Sequence, residues 1–279
     1  MSASEVKIAL TVAGSDSGGG AGIQADLKTF AALGTHGLSA ITALTAQSTT
    51  EVRAIHEVPA DFVRLQLETL GDDFRIDAAK TGMLASPSVI EEVALFFEAR
   101  PIPLVVDPVM VASSGARLVG TAAAQVIVER LFPRAALITP NLDEVEILLG
   151  QRPQDVDEMT AAGRELLTLG PAAVLVKGGH LSGDPTDVLV TRSATRQFTG
   201  PRIPSSNTHG TGCTYAAAIT ALLAHGLPLL AAVETARTFL RGAIAHAPTG
   251  VGRGAGPLHP LHQVVRFRPP PVVRGPEDH

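Results

Sequence analysis

The segment Asn207-Thr208-His209-Gly210-Thr211-Gly212-Cys213-Thr214 leads directly into an Ala-rich helical stretch, Tyr215–Ala224. Glycines at 210 and 212 let consecutive amides turn inward, and a helix N-terminus adds a positive field. Gly210, Thr211, Gly212 and Cys213 therefore read as a cradle for an anion such as phosphate. The competing reading is a set of small residues that only packs the helix on a sheet. Cys213 is the single Cys of the chain. In the first turn of a helix a thiol's pKa of ~8.5 falls, so thiolate is expected near neutral pH, as a nucleophile or a general base. His209, four residues earlier, reads as a solvated loop histidine.

A second glycine-rich loop follows an apolar run, from Gly14 through Gly18-Gly19-Gly20 to Gly22. Gly20-Ala21-Gly22-Ile23-Gln24-Ala25 fits the Gly-x-Gly-x-x-Gly/Ala dinucleotide fingerprint, which also needs an acid about twenty residues on. The next strand instead ends at Gln47, with no acid before Glu51. A nicotinamide nucleotide is disfavoured. A flexible turn and a backbone approach to a small polar substrate, with Asp26 one turn into the helix, both stay open. No Gly-x-x-x-x-Gly-Lys-Ser/Thr occurs, which excludes a P-loop.

Further charges stand where other apolar runs stop. Asp107 follows Leu104–Val106, and Pro108 blocks helical continuation. Asn141 and Glu144 are three residues apart and share a helix face; an ordinary cap with an acid at its third position explains them equally well. Lys177 precedes Gly178-Gly179, placed to meet a phosphate or simply to be solvated. Two acids, a lysine and an anion-binding helix terminus together describe Mg-nucleotide phosphoryl transfer, in which positioning and charge stabilisation dominate.

The elements that must hold these residues alternate. Strand-like Val6–Ala13, Ser39–Ala46, Ala78–Gly82, Leu104–Asp107, Ala135–Thr139 and Ala173–Lys177 are separated by helical stretches at Ile23–Leu33, Asp61–Leu70, from Ser86-Pro87, from Asn141 and at Met159–Leu169. Val188–Val190 and Arg196–Phe198 read as a hairpin, and Leu230–Ala245 as a last helix. Such alternation predicts a mostly parallel sheet with helices on both faces, a three-layer α/β/α fold whose ligands sit at the carboxyl ends of the strands. The 279 residues are 45% hydrophobic, with no Trp, one Tyr and nine Phe, so the core must rest on small aliphatic side chains. Residues 1–265 read as one domain and the Pro-rich 266–279 as a poorly ordered tail. A net charge of −5 without a basic run argues against nucleic acid. No stretch reaches the ~18 apolar residues of a membrane span, and one Cys cannot form an internal disulfide. A cytoplasmic location is expected.

The ordered motifs resemble those of the hydroxymethylpyrimidine/phosphomethylpyrimidine kinases of thiamine biosynthesis, in the ribokinase-like superfamily. The resemblance runs from about Ile8 to His262. It is carried by Ala13-Gly14-Ser15-Asp16 through Asp26, Thr45-Ala46-Gln47, Lys80-Thr81-Gly82-Met83-Leu84, Asp107-Pro108-Val109-Met110, Thr139 to Glu144, Val176 to His180, and Asn207 to Thr214. It implies two ATP-dependent phosphorylations, of 4-amino-5-hydroxymethyl-2-methylpyrimidine and then of its monophosphate. Cys213 would accept the alcohol proton, and the amides of Gly210–Cys213 would hold the transferring phosphoryl group. Asp26 and Gln47 would hydrogen-bond the pyrimidine near Gly14, with Met83 and Val109 against its ring. Asn141 and Glu144 would hold Mg2+ through water, Asp107 would support the metal, and Lys177 would meet ATP phosphates. A homodimer is implied as well. Many relatives carry a Lys in the loop after Met110, absent from Val111-Ala112-Ser113-Ser114-Gly115, so Lys177 or Arg117 is expected to hold the second phosphate. A pyridoxal or pyridoxine kinase of the same superfamily is the nearest alternative, and a catalytically silent pyrimidine- or nucleotide-binding module the alternative from another class.

Overall fold

The structure is a computed structural model that describes residues 5–110 and 120–264. The 111–115 loop, Arg117 and the 266–279 tail lie outside the described residues. The chain runs β1 (Lys7–Asp16), α1 (Gly22–Ala32), β2 (Thr35–Gln47), β3 (Val52–Glu57), α2 (Ala60–Asp73), β4 (Ala78–Thr81), α3 (Pro87–Glu98), β5 (Leu104–Val106), α4 (Thr121–Val126), β6 (Leu137–Ile138), α5 (Leu142–Leu149), α6 (Val156–Leu167), β7 (Ala173–Gly178), β8 (Thr186–Thr191), β9 (Thr195–Thr199), α7 (Thr211–Ala224) and α8 (Leu229–Ala245). The strands form one sheet in the order β3-β2-β1-β4-β5-β6-β7-β8-β9. From β2 to β7 neighbours are parallel. β3 pairs antiparallel with β2, and β8 and β9 form the expected hairpin on β7.

The strands sort their side chains by the period of two that a pleat imposes. Leu104 and Val106 of β5, with Val174 and Val176 of β7, enter the core beneath α2 to α6. Val105, Ala173 and Leu175 face the opposite core, beneath α7 and α8. Helix α1 packs beside α7 through Phe30, Ala217 and Ala221. The result is three layers. Helix α7 is buried on nearly every side, and its alanines at 216, 217, 218 and 221 let sheet and neighbouring helices approach it closely.

Two strands differ from the sequence expectation. β3 is an edge strand exposed along almost its whole length, so Val52–Glu57 carries no apolar period to betray it. β6 contracts to Leu137–Ile138, although the Ala136 and Thr139 amides on either side still donate to the Leu104 and Val106 carbonyls. β1 lies between β2 and β4, so the path leaves it first toward one edge and then toward the other. That reversal opens a crevice at the carboxyl end of β1.

One buried ion pair fixes α1 to the sheet. Lys80 of β4 and Asp26 of α1 are both fully buried, with Nζ 3.0 and 2.9 Å from the two carboxylate oxygens. Thr11 Oγ1 donates to the same carboxylate at 2.7 Å. Burial acts to depress the Lys80 ammonium, but Asp26, Cys213 and Asp107 together outweigh it and raise the pKa. Breaking a buried pair strands a charge, whereas replacing both partners by apolar groups does not. Lys80→Met is therefore expected to lose about 3–5 kcal/mol of unfolding free energy in chemical denaturation. Lys80→Met combined with Asp26→Leu should recover most of that loss.

Candidate active site

A cavity of about 590 Å3 crosses the carboxyl ends of the strands. Twelve of the thirteen sequence-predicted site residues line it: Gly14, Gln47, Met83, Val109, Asp107, Asn141, Glu144, Lys177, Gly210, Thr211, Gly212 and Cys213. Asp26 is the exception. Its side chain lies beneath the cavity with both oxygens engaged by Lys80 and Thr11, so the expected pyrimidine contact is replaced by a structural one. A depression of similar volume at the amino ends of the strands, lined by Pro103, Pro133, Arg134 and Arg192, contains no acid and no cradle.

The two glycine loops are one structure. Asp16 ends β1 and accepts from Gly18 N at 2.8 Å through Oδ1, and from Gly20 N and Ala21 N at 3.0 and 2.8 Å through Oδ2. His209 of the second loop meets the same Oδ2 at 2.9 Å. His209 is therefore buried, 8% exposed, and not the solvated residue its loop position suggests. Burial alone would raise the Asp16 pKa, but the His209 bond and the amides outweigh it and lower the pKa. Gly210 has φ +83°, and a Cβ there would stand 1.9 Å from the carbonyl oxygen of Gly20. Only glycine lets the loops touch in this way.

A third segment closes over both. Gly256 N donates to Asn207 Oδ1 at 3.2 Å, and its carbonyl accepts from His209 N at 3.2 Å. Arg253 N and Gly254 N both donate to Thr49 Oγ1 at 3.1 Å. The Gly252–His259 stretch, to which its residue types assign no role, thus ties the cradle to the turn between β2 and β3.

Charge concentrates at the centre. Lys177 Nζ lies 2.9 Å from Asp107 Oδ1, which also accepts from Thr139 Oγ1 at 2.9 Å. Burial would raise the Asp107 carboxyl, but Lys177 and Lys80 outweigh it and lower the pKa. A Cβ on Gly212 would come within 3.2 Å of Lys177 Nζ and 3.8 Å of Asp107 Oδ2, so the first turn of α7 stands against this pair. Asn141 Oδ1 accepts from Glu144 N at 2.9 Å, and Glu144 Oε2 accepts from Asn141 N at 2.8 Å. The capping box is real, and it buries Glu144 in the cavity wall. Burial pushes the Glu144 carboxyl up to about 7, with Asp107 adding to the rise and Lys177 opposing it.

The Cys213 expectation is corrected. Two effects that favour thiolate are present, the Lys80 charge and the Gly22 amide, yet burial pushes the thiol up to about 11. Desolvation exceeds the field of a helix end, which is worth at most ~2 kcal/mol. Sequence reasoning also missed four charged groups. Asp16 carries a local signal, an acid directly before a glycine run. Lys80 stands in a recognised motif with no visible function. Asp187 and Arg237, paired at 3.0 Å on the cavity wall, are fifty residues apart and have none.

The family model described as phosphomethylpyrimidine kinase matches residues 16–259. A thiamine biosynthesis bifunctional protein of Geobacter sulfurreducens is 51% identical over 252 residues, which cover 90% of this chain and 51% of that protein. The chain thus spans about half the length of that relative. A hydroxymethylpyrimidine/phosphomethylpyrimidine kinase of Escherichia coli is 46% identical over 258 residues, covering 91% of this chain and 97% of the other. Among solved structures, a pyridoxal kinase of Staphylococcus aureus in complex with ADP matches with TM-score 0.85 and 34% identity, over 93% of this chain and 95% of that one.

Glu144 yields a test of pH dependence. The folded chain keeps this proton up to about pH 7, whereas the group ordinarily loses it near 4.5. Between those values the folded form binds more protons, so the contribution of Glu144 to stability falls as pH rises. Gln at this position can still accept from the Asn141 amide. Glu144→Gln should therefore melt no lower than the parent at pH 8, lose its relative advantage at pH 4.5, and turn over more slowly. Gly210→Ala, by contrast, should lower both melting temperature and anion affinity, because the Gly20 carbonyl has to move.

Proposed function

The chain belongs to the phosphomethylpyrimidine kinase family, with its ribokinase-like α/β/α fold, and on that premise we propose that it transfers the γ-phosphoryl group of ATP to the hydroxymethyl oxygen of 4-amino-5-hydroxymethyl-2-methylpyrimidine and then phosphorylates the monophosphate to the pyrophosphate. The observation that carries this reading is a single cavity whose wall holds the Gly210–Cys213 cradle together with Gly14, Gln47 and Met83 toward β2 and Asp187, Leu240 and Ile244 toward β8. At the first end Gly14, Met83 and Val109 pack against the ring while Gln47 donates to and accepts from its polar edge. An unmatched buried edge would cost ~1–3 kcal/mol, which discriminates between similar rings.

The amides of Gly210–Cys213 stabilise charge on the transferring phosphoryl group, and Lys177 shifts from Asp107 toward nucleotide phosphate. Asp107 and Glu144 suit Mg2+, which takes one or two carboxylates together with phosphate and water; among the described residues no cluster of three or more His, Cys, Asp or Glu side chains offers a cage. Bound there with Asn141 orienting Glu144, the metal ion would neutralise phosphate charge. The alcohol proton passes to Cys213 Sγ. Lys80 favours the thiolate, and a loose phosphoryl-transfer transition state demands proton removal only late. The same reading takes 1–265 as one kinase domain acting as a cytoplasmic homodimer. No helix among the described residues is long and apolar enough to cross a membrane.

Mass spectrometry of the free pyrimidine incubated with Mg-ATP should find monophosphate and then pyrophosphate; no phosphorylated pyrimidine would overturn the reading. Pyridoxal, offered in parallel because of the pyridoxal kinase likeness, should turn over more slowly. Cys213→Ala should reduce kcat by about 10²–10⁴ while pyrimidine binding persists. Below the thiol pKa of about 11 the base form grows with pH, so kcat of the parent should climb through the alkaline range and that of Cys213→Ala should not.

A further inference from the structure

The turn between β7 and β8 lines the cavity through Gly179, His180 and Pro185, and one side chain gathers its crown. Arg202, in the stretch between β9 and α7, directs its whole guanidinium at that turn. Nε donates to the Gly183 carbonyl at 3.2 Å and Nη1 to the Gly179 carbonyl at 3.0 Å. Nη2 donates to the Leu181 and Gly183 carbonyls at 2.6 and 3.0 Å. Three carbonyls from residues 179–183 thus converge on one planar group. Leu181 packs against the core, but a Cβ added to Gly179 or Gly183 would meet nothing within 4 Å, and Gly183 has φ +82°. Glycines without neighbours do not hold a shape by themselves.

The two ends of the turn are fixed without Arg202. Gly178 N donates to Asp187 Oδ1 at 3.1 Å, and Arg237 joins Asp187 Oδ2 at 3.0 Å to the Pro185 carbonyl at 2.7 Å. Arg241 Nη2 donates to the Pro201 carbonyl at 2.8 Å and so seats the residue before Arg202. Gly179 and Gly183 are exposed, and water can satisfy their carbonyls. Losing Arg202 therefore strands no buried group; it removes a conformational restraint. The place of the turn gives that restraint a consequence. Gly179 follows Lys177 by two residues, and Lys177 Nζ stands 3.2 Å from where a Cβ on Gly212 of the cradle would be. Arg202 lines the same cavity as the cradle. Gln47, by contrast, ends β2, five strand spacings from β7. The restraint thus acts on the side of Lys177 and not on the side of Gln47. A site whose wall holds its competent shape only part of the time binds more weakly by that fraction.

We propose that Arg202 is a positioning residue for the phosphoryl donor: its guanidinium holds the 179–183 turn in the shape that lines the nucleotide side of the cavity, and so sets affinity for ATP. This rests on the kinase reading above. Two variants separate the clamp from its charge. Arg202→Lys keeps the charge, but an ammonium lacks the planar fork that reaches three carbonyls at once; Arg202→Leu removes both. The measurements are ADP binding in the presence of Mg2+ by calorimetry, Michaelis constants for ATP and for the pyrimidine, thermal melting without ligand, and amide hydrogen exchange of peptides covering 179–183. Both variants should lose ADP affinity by about tenfold, as for a turn that is competent a tenth of the time. KM for ATP should rise in parallel and by more than kcat falls, while KM for the pyrimidine stays in place. Exchange should quicken in 179–183 and not elsewhere, at an unchanged melting temperature. A loss confined to Arg202→Leu, with Arg202→Lys like the parent, would assign the effect to charge and overturn the positioning role. Unchanged ADP affinity in both variants would overturn it as well, as would a lower melting temperature with both Michaelis constants raised. A parent protein that binds the pyrimidine but no ADP would overturn the kinase reading and this assignment with it.

Discussion

The Asp16 carboxylate is the bond on which the site depends. Three backbone amides of the first glycine loop and the imidazole of His209 converge on its two oxygens. Those groups lie almost two hundred residues apart in the chain, and no hydrophobic contact could align them as closely. Glycine loops are floppy in isolation because Gly loses more freedom on ordering than any other residue. A single acid that satisfies three of their amides offsets much of that loss. It also sets the height of the second loop over the first, and hence the direction of the α7 N-terminus. Catalytic geometry in this chain is downstream of a structural carboxylate that does not itself belong to the proposed chemistry.

The buried charges follow one pattern. Lys80 is matched to Asp26, Lys177 to Asp107, and Arg237 to Asp187, each pair joining elements distant in sequence. Pairing keeps these groups ionised in a region whose burial would otherwise neutralise them. Among the paired acids only Asp107 is drawn below its usual range; at Asp26, Asp187, Cys213 and Glu144 desolvation outweighs the fields and the pKa moves upward. The helix-end argument for an acidic thiol needs the field to exceed desolvation, and at the half-buried Cys213 it does not. It fails here because α7 is packed between sheet and helices, and desolvation grows with that packing while the dipole does not.

What the sequence makes legible follows from range. Strands buried on both faces announce themselves as apolar runs, so β4, β5 and β7 are readable within a residue, while β1 runs three residues past its expected end. The exposed edge strand β3 obeys no such rule, and only its pairing with β2 defines it. The site divides in the same way. Strand-end residues such as Asp107, Gln47 and Lys177 are placed by topology, which alternation already implies. Asp26 misleads because one turn into a helix is a matter of rotation as well as distance. Its face points at Lys80, and nothing local distinguishes that from a face pointing at a ligand. Asp187 and Arg237 are unreadable for the converse reason, since they reach the cavity wall from two elements distant in sequence.

Asn141 and Glu144 show why a structural and a functional account of one motif need not compete. Read alone, they are a helix cap, and the reciprocal bonds of the cap are present. Yet the box fixes the Glu144 side chain against its own backbone, and α5 begins where β6 ends at the cavity. The cap thereby removes the rotamer freedom that a free glutamate would have to surrender on meeting a metal ion or a phosphate-bound water. The carboxylate accepts the Asn141 amide and a backbone bond from Met110 as well, and the residue still lines the cavity. Burial then keeps the group near its point of half-ionisation close to neutral pH, so the arrival of a cation can complete the ionisation without moving the side chain. Capping supplies the preorganisation, and the preorganised acid becomes useful only because it is capped.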